Sequence, residues 1–334
     1  MRLKTTLLVS CVATLALTST FGCKNEDTKP DAVPAETAAA TQTTQGAVKE
    51  ASPESQPASE SQSAAESQSA EKAAPSEAWV KTRAEESRKR LAAAGEPGAL
   101  IAAAIKKHGG LEKWYANGPL EFRFRYAPVG GKKVRDSVQT IDTWRSLAVH
   151  HAPDNAENKF GWDGEKAWKT YDDEAINPRF WSLTPYYFVA VPFVFADKGV
   201  KLAEAGEITF EDRTYDLVKA TFEAGTGDAP DDYYIVYIDR ETKAVGGVRY
   251  VVSYPGFFPD GGHSPEKFMK YDGAQTVDGI TFAKTFRTFK WDVEGNKPLE
   301  LATNSEMSQV SFKPELPLSF FAIPEDATVI EGMK

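Results

Sequence analysis

Four histidines, two cysteines and a short cluster of aspartates are the residues of this 334-residue chain with the chemistry for acid–base, nucleophilic or metal work. Their spacing favours none of these. His150 and His151 are adjacent on a predicted strand, so their side chains leave on opposite faces and do not join one metal in regular geometry. His108 falls on the apolar face of a predicted helix, where a hydrogen-bonded core histidine is the usual outcome. His263, in Gly261-Gly262-His263-Ser264, reads as the most exposed of the four. A lone histidine beside a serine is thin material for a base and nucleophile, and a flexible loop residue accounts for it equally. Asp228, Asp231 and Asp232 lack the alternating spacing of an EF-hand loop and read as solvated turn carboxylates rather than calcium ligands. There is no G-x-S-x-G, H-E-x-x-H, P-loop or dinucleotide fingerprint. The expectation is a chain that uses no catalytic residue, no metal and no cofactor. A hydrolase centred on His263 is the least favoured alternative.

The cysteines point elsewhere. After Met1-Arg2-Leu3-Lys4, the run Thr5 to Gly22 has the positive start and apolar middle of a secretory signal, and the chain turns polar at Cys23-Lys24-Asn25-Glu26-Asp27. Thr20-Phe21-Gly22-Cys23 resembles the bacterial lipobox, in which a small residue precedes a cysteine that becomes the acylated N-terminus, although Thr20 stands where Leu is usual. Leu8-Val9-Ser10-Cys11 fits that consensus better but leaves an apolar stretch too short to act as a signal. Residues 1–22 are therefore read as a lipoprotein signal peptide and Cys23 as the lipid anchor, with ordinary secretion as the alternative. Cleavage removes Cys11 and lipid occupies Cys23, so no thiol is left for a disulfide. The exported domain must then be stabilised by its core alone. Lys24 rather than Asp after the cysteine favours, by the rule for Gram-negative lipoproteins, the outer membrane facing the periplasm, with surface exposure left open.

From Lys24 to Glu77 there is no Phe, Tyr or Trp, and such a stretch buries too little apolar surface to offset the entropy of ordering it. Residues 23–77 are expected to form a disordered tether with a root-mean-square span of about 40 Å, by the scaling for flexible chains. The formal net charge is −9. Loss of the signal, with Arg2 and Lys4 and no acid, leaves 37 basic against 48 acidic residues. That balance argues against nucleic acid as a partner and against adsorption to anionic lipid by charge alone.

Residues 78–334 read as one folded domain. Ser76 can cap a helix running to Leu91, and a second, with Pro97 in its first turn, places Leu100, Ile101, Ala104, Ile105 and His108 on one face before Gly109-Gly110. Leu111, Trp114 and Tyr115 continue that apolar surface. From Pro119 the period becomes two. Phe122, Phe124 and Tyr126 alternate with Glu121, Arg123 and Arg125, and similar runs recur at Val134–Thr143, Trp144–His151, Lys166–Tyr171, Ile208–Phe210, Tyr215–Phe222, Asp232–Asp239, Gly247–Tyr254, Phe268–Tyr271, Thr281–Trp291 and Glu306–Phe312. The fold class is α+β: a strongly curved antiparallel sheet of about ten or eleven strands, an incomplete barrel, with helices on its concave face. A bulge is expected near Arg287, where the aromatic parity of Thr281–Trp291 switches. Tyr233–Ile238 is apolar on both parities and should be covered on both faces, one of them by a helix or loop. Pro178–Gly199, intensely apolar and broken by Pro185 and Pro192, is read as one or two short helices across the concave face, either a core plug or a lid over a ligand.

Asp163-Gly164-Glu165-Lys166-Ala167-Trp168, followed by Tyr171-Asp172, is similar to the D-G-x-x-x-W turn and strand of the LolA/LolB superfamily of bacterial periplasmic lipoprotein carriers. Thr184-Pro185-Tyr186-Tyr187-Phe188 falls where those carriers place an apolar helix, and Tyr237-Ile238-Asp239-Arg240-Glu241-Thr242 resembles the I-D-x-x-T strand end of related sorting proteins. The resemblance covers roughly residues 98 to 330 and implies an incomplete barrel closed by helices; it speaks to fold more than to transport. The concave interior is expected to hold a lipid, an acyl chain or another apolar ligand. On that expectation the interior is lined by Phe122, Phe124, Phe188, Phe193, Phe195, Tyr250 and Tyr254, and Phe257 and Phe258, in a loop of turn residues, form a rim that touches lipid or folds back to cap the sheet. A scaffold lipoprotein that binds another protein, of unknown identity, is the alternative.

Overall fold

The computed structural model describes residues 75–330 apart from 174, 175, 225, 228 and 230. The signal peptide, Cys23 and most of the tether lie outside the described residues, as does Asp228 of the aspartate cluster. Ser76 caps the first helix, α1 (Glu77–Ala93), its Oγ accepting from the Trp79 amide at 3.2 Å. Only Ala84, Ser87 and Leu91 of α1 are buried, as expected of a helix charged almost all round. Helix α2 (Gly95–Lys107) buries Ile101, Ala104 and Ile105, and α3 (Leu111–Asn117) buries Leu111, Trp114 and Tyr115.

Among the described residues, thirteen antiparallel strands form one sheet: β1 (Leu120–Pro128), β2 (Arg135–Asp142), β3 (Leu147–Ala152), β4 (Asn155–Trp162), β5 (Ala167–Lys169), β6 (Val200–Phe210), β7 (Arg213–Phe222), β8 (Tyr234–Asp239), β9 (Val245–Tyr250), β10 (Lys267–Val277), β11 (Ile280–Asp292), β12 (Lys297–Phe312) and β13 (Thr328–Ile330). Their spatial order is β13-β5-β4-β3-β2-β1-β12-β11-β10-β9-β8-β7-β6. Two meanders therefore meet at the β1–β12 pair. The first runs outward to β5, beyond which β13 forms the edge, and the second starts at the β6 edge and returns to the middle. Between them the chain must cross from one edge to the other, and Pro178–Gly199 makes that crossing as helix α4 (Pro178–Val189) and a 3-10 turn, Phe193–Ala196. Asn177 caps α4 through its Oδ1, which accepts from the Phe180 amide at 3.1 Å. Along its length α4 touches successive strands, Trp181 meeting Tyr126 of β1 at 5.2 Å and Phe188 meeting Tyr250 of β9 at 4.8 Å between ring centroids. One buried cluster joins α1–α4 to strands of both meanders, so the sheet is bent around the helices.

Several details differ from the sequence reading. β4 and β13 were not expected: β4 opens with exposed Asn155, Ala156 and Glu157, and β13 is a three-residue edge, so neither shows an alternating apolar signal. β6 extends back to Val200, although most of it is exposed. The register irregularity of β11 falls between Thr288 and Trp291 in its pairing with β12, a little beyond Arg287. The aromatic parity switches there because the two faces serve different cores. Phe282 and Phe286 enter the inner cluster, whereas Trp291 packs in an outer cluster with Tyr215, Leu217, Ile235, Tyr237 and Phe268. That outer cluster covers the second face of β8. The cover is neither helix nor loop, but rings laid over the glycines of β9 and the end of β6. A Cβ on Gly246 would lie 2.4 Å from the Tyr215 ring, one on Gly247 would lie 2.9 Å from the Phe268 ring, and Phe210 of β6 reaches Phe268 at 5.4 Å.

Of the motifs that carried the resemblance, Thr184–Phe188 lies within α4, and the other two are hairpin corners. Asp163 Oδ1 accepts from the amides of Glu165 (2.8 Å) and Lys166 (2.6 Å), and Asp239 Oδ1 accepts from those of Glu241 (3.1 Å) and Thr242 (2.7 Å). Asp142 does the same at the β2–β3 corner, for the amides of Trp144 (2.8 Å) and Arg145 (3.0 Å). A short carboxylate at the strand end satisfies turn N–H groups that the ladder cannot reach.

Candidate ligand cavity

Because, among the described residues, β6 pairs with β7 alone and the other end of the sheet stops at β13, the barrel has an unsealed seam. An open cleft of about 510 Å³ lies there. Trp144 and Trp162, from the β2–β3 and β4–β5 corners, form one wall, and Val200 and Phe222 of β6 and β7 form the other. Tyr187 of α4 and Phe195 of the 3-10 turn also line it. A smaller pocket of about 90 Å³ shares Leu183, Tyr187 and Tyr234 with the cleft and continues toward Phe180 and Tyr254. On the other flank of α4, a third cavity of about 240 Å³ opens between α4 and β1–β4.

The seven aromatic residues expected to line an interior are all buried, and they divide. Phe195 lines the cleft, Phe188 and Tyr254 the smaller pocket, and Phe124 the third cavity. Phe122, Phe193 and Tyr250 are packed ring against ring: Phe122 on Phe124 at 6.4 Å, Phe193 on Trp114 at 4.4 Å, and Tyr250 on Tyr234 at 6.1 Å. Much of the concavity is thus filled by α4 and the 3-10 turn; the cleft, the smaller pocket and the third cavity lie along α4, and a further cavity of about 330 Å³ lies beside His108, Tyr215 and Lys270. In the rim loop, Phe257 is 51% exposed and rests against Phe180 (4.8 Å) and Tyr254 (5.3 Å), at the end of the smaller pocket, while Phe258 is half-buried.

Trp144, Trp162, Tyr187 and Phe222 were missed from the sequence. They come from four separate elements, and no local pattern announces that they converge.

The histidines are accounted for by hydrogen bonds. His150, almost fully buried, meets the Ser182 carbonyl oxygen at 2.9 Å from Nε2, and burial drives its pKa down to about 3. His108 bridges helix and sheet: Nδ1 donates to the Thr281 carbonyl at 2.9 Å, and Nε2 accepts from the Val245 amide at 3.2 Å. Burial lowers its pKa too, and the neutral ring meets both partners. The exposed His263 contacts the Ser264 carbonyl oxygen at 2.8 Å. Among the described residues no group of three or more His, Cys, Asp and Glu is placed to hold a metal ion, and no helix is long and apolar enough to cross a membrane.

No protein-family model and no curated protein matches the chain. Among solved structures it is similar to a LolA superfamily protein from Nitrosomonas europaea, with 9% identity over 68% of this chain and 97% of that one, at a TM-score of 0.43. It is likewise similar to a DUF1329 family protein from Desulfovibrio piger, with 11% identity, the same coverages and the same TM-score. The unclosed antiparallel sheet bent around its helices is what the sequence resemblance implied. At such identities and TM-scores these likenesses bear on neither ligand, partner nor location.

Proposed function

We propose that this chain is an exported lipoprotein, anchored through Cys23, whose half-barrel holds an apolar ligand such as a lipid or acyl chain without acting on it chemically. The observation that carries the reading is the cleft at the unsealed seam, walled by Trp144, Trp162, Tyr187, Phe195 and Phe222, which shares Leu183, Tyr187 and Tyr234 with the smaller pocket whose Phe180 and Tyr254 touch Phe257. Its volume of about 510 Å³ falls within the range of roughly 300–1,000 Å³ of small-molecule sites. Apolar surface removed from water supplies about 25 cal/mol per Å² before the costs of ordering. In this reading α4 is both the plug that completes the core and the floor on which the ligand lies. The Cys23 anchor and the tether set the domain outside the cytosol, on the periplasmic side of an outer membrane.

Native mass spectrometry of protein purified without detergent tests the reading. The expected result is a lipid mass that departs on collisional activation. Protein that is empty, and that fails to take up a fluorescent fatty acid at micromolar concentration, overturns it.

A further inference from the structure

The cavity of about 240 Å³ between α4 and β1–β4 has a chain of hydrogen bonds in its wall, and the chain has a direction. It starts at His150, whose ring burial keeps neutral. His150 Nε2 lies 2.9 Å from the Ser182 carbonyl oxygen, which only accepts, so Nε2 carries the ring proton and Nδ1 is an acceptor. The Ser137 hydroxyl, 3.4 Å away, supplies the proton that Nδ1 needs, and the Ser137 oxygen in turn receives Nε2 of Gln139 at 3.1 Å. Each link fixes the next, so the Gln139 amide is turned with its oxygen as the open end. That Oε1 is buried, on a residue 2% exposed, and has no hydrogen-bond partner among the described residues. A buried acceptor without a donor is the costly kind of polar group.

Ser137, Gln139 and His150 line the cavity together with Tyr126, Phe160 and Trp181. Trp181 meets Tyr126 edge to face at 5.2 Å, and Phe160 lies 4.4 Å from the His150 ring. The charges that line it are already engaged within the chain: Lys133 with Asp173 at 2.6 Å, Asp136 with Arg123 at 2.7 Å, and Arg135 over Trp181 at 4.5 Å. No lining charge among the described residues is left to call for a counter-ion. A single water would match Oε1, but it needs only roughly 10–15 Å³ and two to four polar partners. This cavity is far larger and is walled mainly by rings, which favour an aromatic guest at their edges and faces.

We infer that the cavity is a second binding site, selective for a small neutral aromatic molecule that carries an O–H or N–H donor, with the donor on Gln139 Oε1 and the ring among Tyr126, Phe160 and Trp181. The inference stands apart from the seam reading, because the two sites lie on opposite flanks of α4 and share no described lining residue.

Isothermal titration with indole and with benzofuran tests it, since the two have the same shape and only indole donates a hydrogen bond. Indole should bind at least about fivefold more tightly than benzofuran, the ratio expected from one hydrogen bond to a buried acceptor. In protein labelled with nitrogen-15, indole should also move the side-chain amide resonance of Gln139. Gln139→Met keeps the length of the side chain and removes the acceptor, so the two ligands should then bind within about twofold of each other. Should that variant fail to fold, the amide resonance in the parent protein decides. Indole binding no more tightly than benzofuran overturns the donor requirement. A preference that survives in Gln139→Met, or an amide resonance that stays in place when indole binds, overturns the assignment to this cavity. Binding of neither ligand overturns the site and leaves the seam reading standing.

Discussion

The ring of Trp114 lies flat on that of Phe193, 4.4 Å between centroids and 5° from parallel. Trp114 belongs to α3 and Phe193 to the 3-10 turn that follows α4, so this contact docks the crossing segment onto the N-terminal helices. Arg90 reinforces the dock, its Nε donating to the Ala196 carbonyl at 3.0 Å. Phe193→Ala leaves a cavity under Trp114 and should cost about 3–5 kcal/mol, the usual range for a buried Phe→Ala change. Urea unfolding is the measurement, and a loss under 1 kcal/mol would mean that the segment is held mainly by its other contacts.

Acid should loosen the fold through its buried histidines. His150 binds a proton with a pKa of about 3 in the folded state against 6.5 for the free side chain, so the unfolded chain takes up the proton first. The contribution of His150 is complete above about pH 6.5 and is lost as pH falls toward 3, at up to about 1.4 kcal/mol per pH unit. His108, whose pKa is lowered by burial, acts in the same direction. Melting temperatures between pH 7.5 and 4.5 should fall more steeply for the parent protein than for His150→Leu, and equal slopes would count against the assignment.

Gly247 of β9 has no room for a side chain. A Cβ there would stand 2.5 Å from the Met269 carbonyl oxygen and 2.9 Å from the Phe268 ring. Gly247→Val should therefore destabilise by about 1–3 kcal/mol through overpacking, and it should lift Phe268 away from Trp291 and Tyr237. Near-ultraviolet circular dichroism, which reports on packed aromatic rings, should change along with the unfolding midpoint. An unchanged spectrum in a folded variant would show that the outer cluster tolerates the insertion.

Phe257 tests the reach of the slot. It is half exposed and its ring packs against those of Phe180 and Tyr254, so Phe257→Ser should leave stability within about 0.5 kcal/mol, as for most surface changes. If ligand extends to the rim, fluorescent fatty-acid affinity should fall severalfold in Phe257→Ser, and further in the double variant with Phe258→Ser. Unchanged affinity removes the loop from the site.

Cys23 is tested by labelling cells with an alkyne-tagged palmitate. The parent chain should acquire the tag and partition with membranes, and Cys23→Ala should do neither. Tagging of Cys23→Ala would move the anchor to another residue.

The helices and the antiparallel class were legible because they are local. Ser76 before a helical run, the 2-residue period through Phe122 and Phe124, and the Asp163 and Asp239 corners each act over three or four residues. β4 was not legible, because Asn155–Lys159 is wetted on both faces and borrows its strand conformation from β3 and β5. The cover of β8 was misjudged for a related reason. It depends on Gly246 and Gly247 having no side chains, which lets rings from β7 and β10 lie across them.

What the linear chain determined by itself was periodicity and punctuation: where helices start, which strand faces are apolar, and that Pro178–Gly199 is too greasy to stay in water. Whether those aromatic residues enclose a hollow or fill it depended on strand order. With β1 paired to β12 and β6 left at the far edge, the segment from β5 to β6 has to run through the concavity, and it occupies the space that the sequence pattern had reserved for a ligand. The open volume moved to the seam, where Trp144, Trp162, Tyr187 and Phe222 meet only because the two ends of one sheet approach without pairing. Contacts between residues so far apart along the chain are set by the closure of the whole sheet, and no short-range preference encodes them.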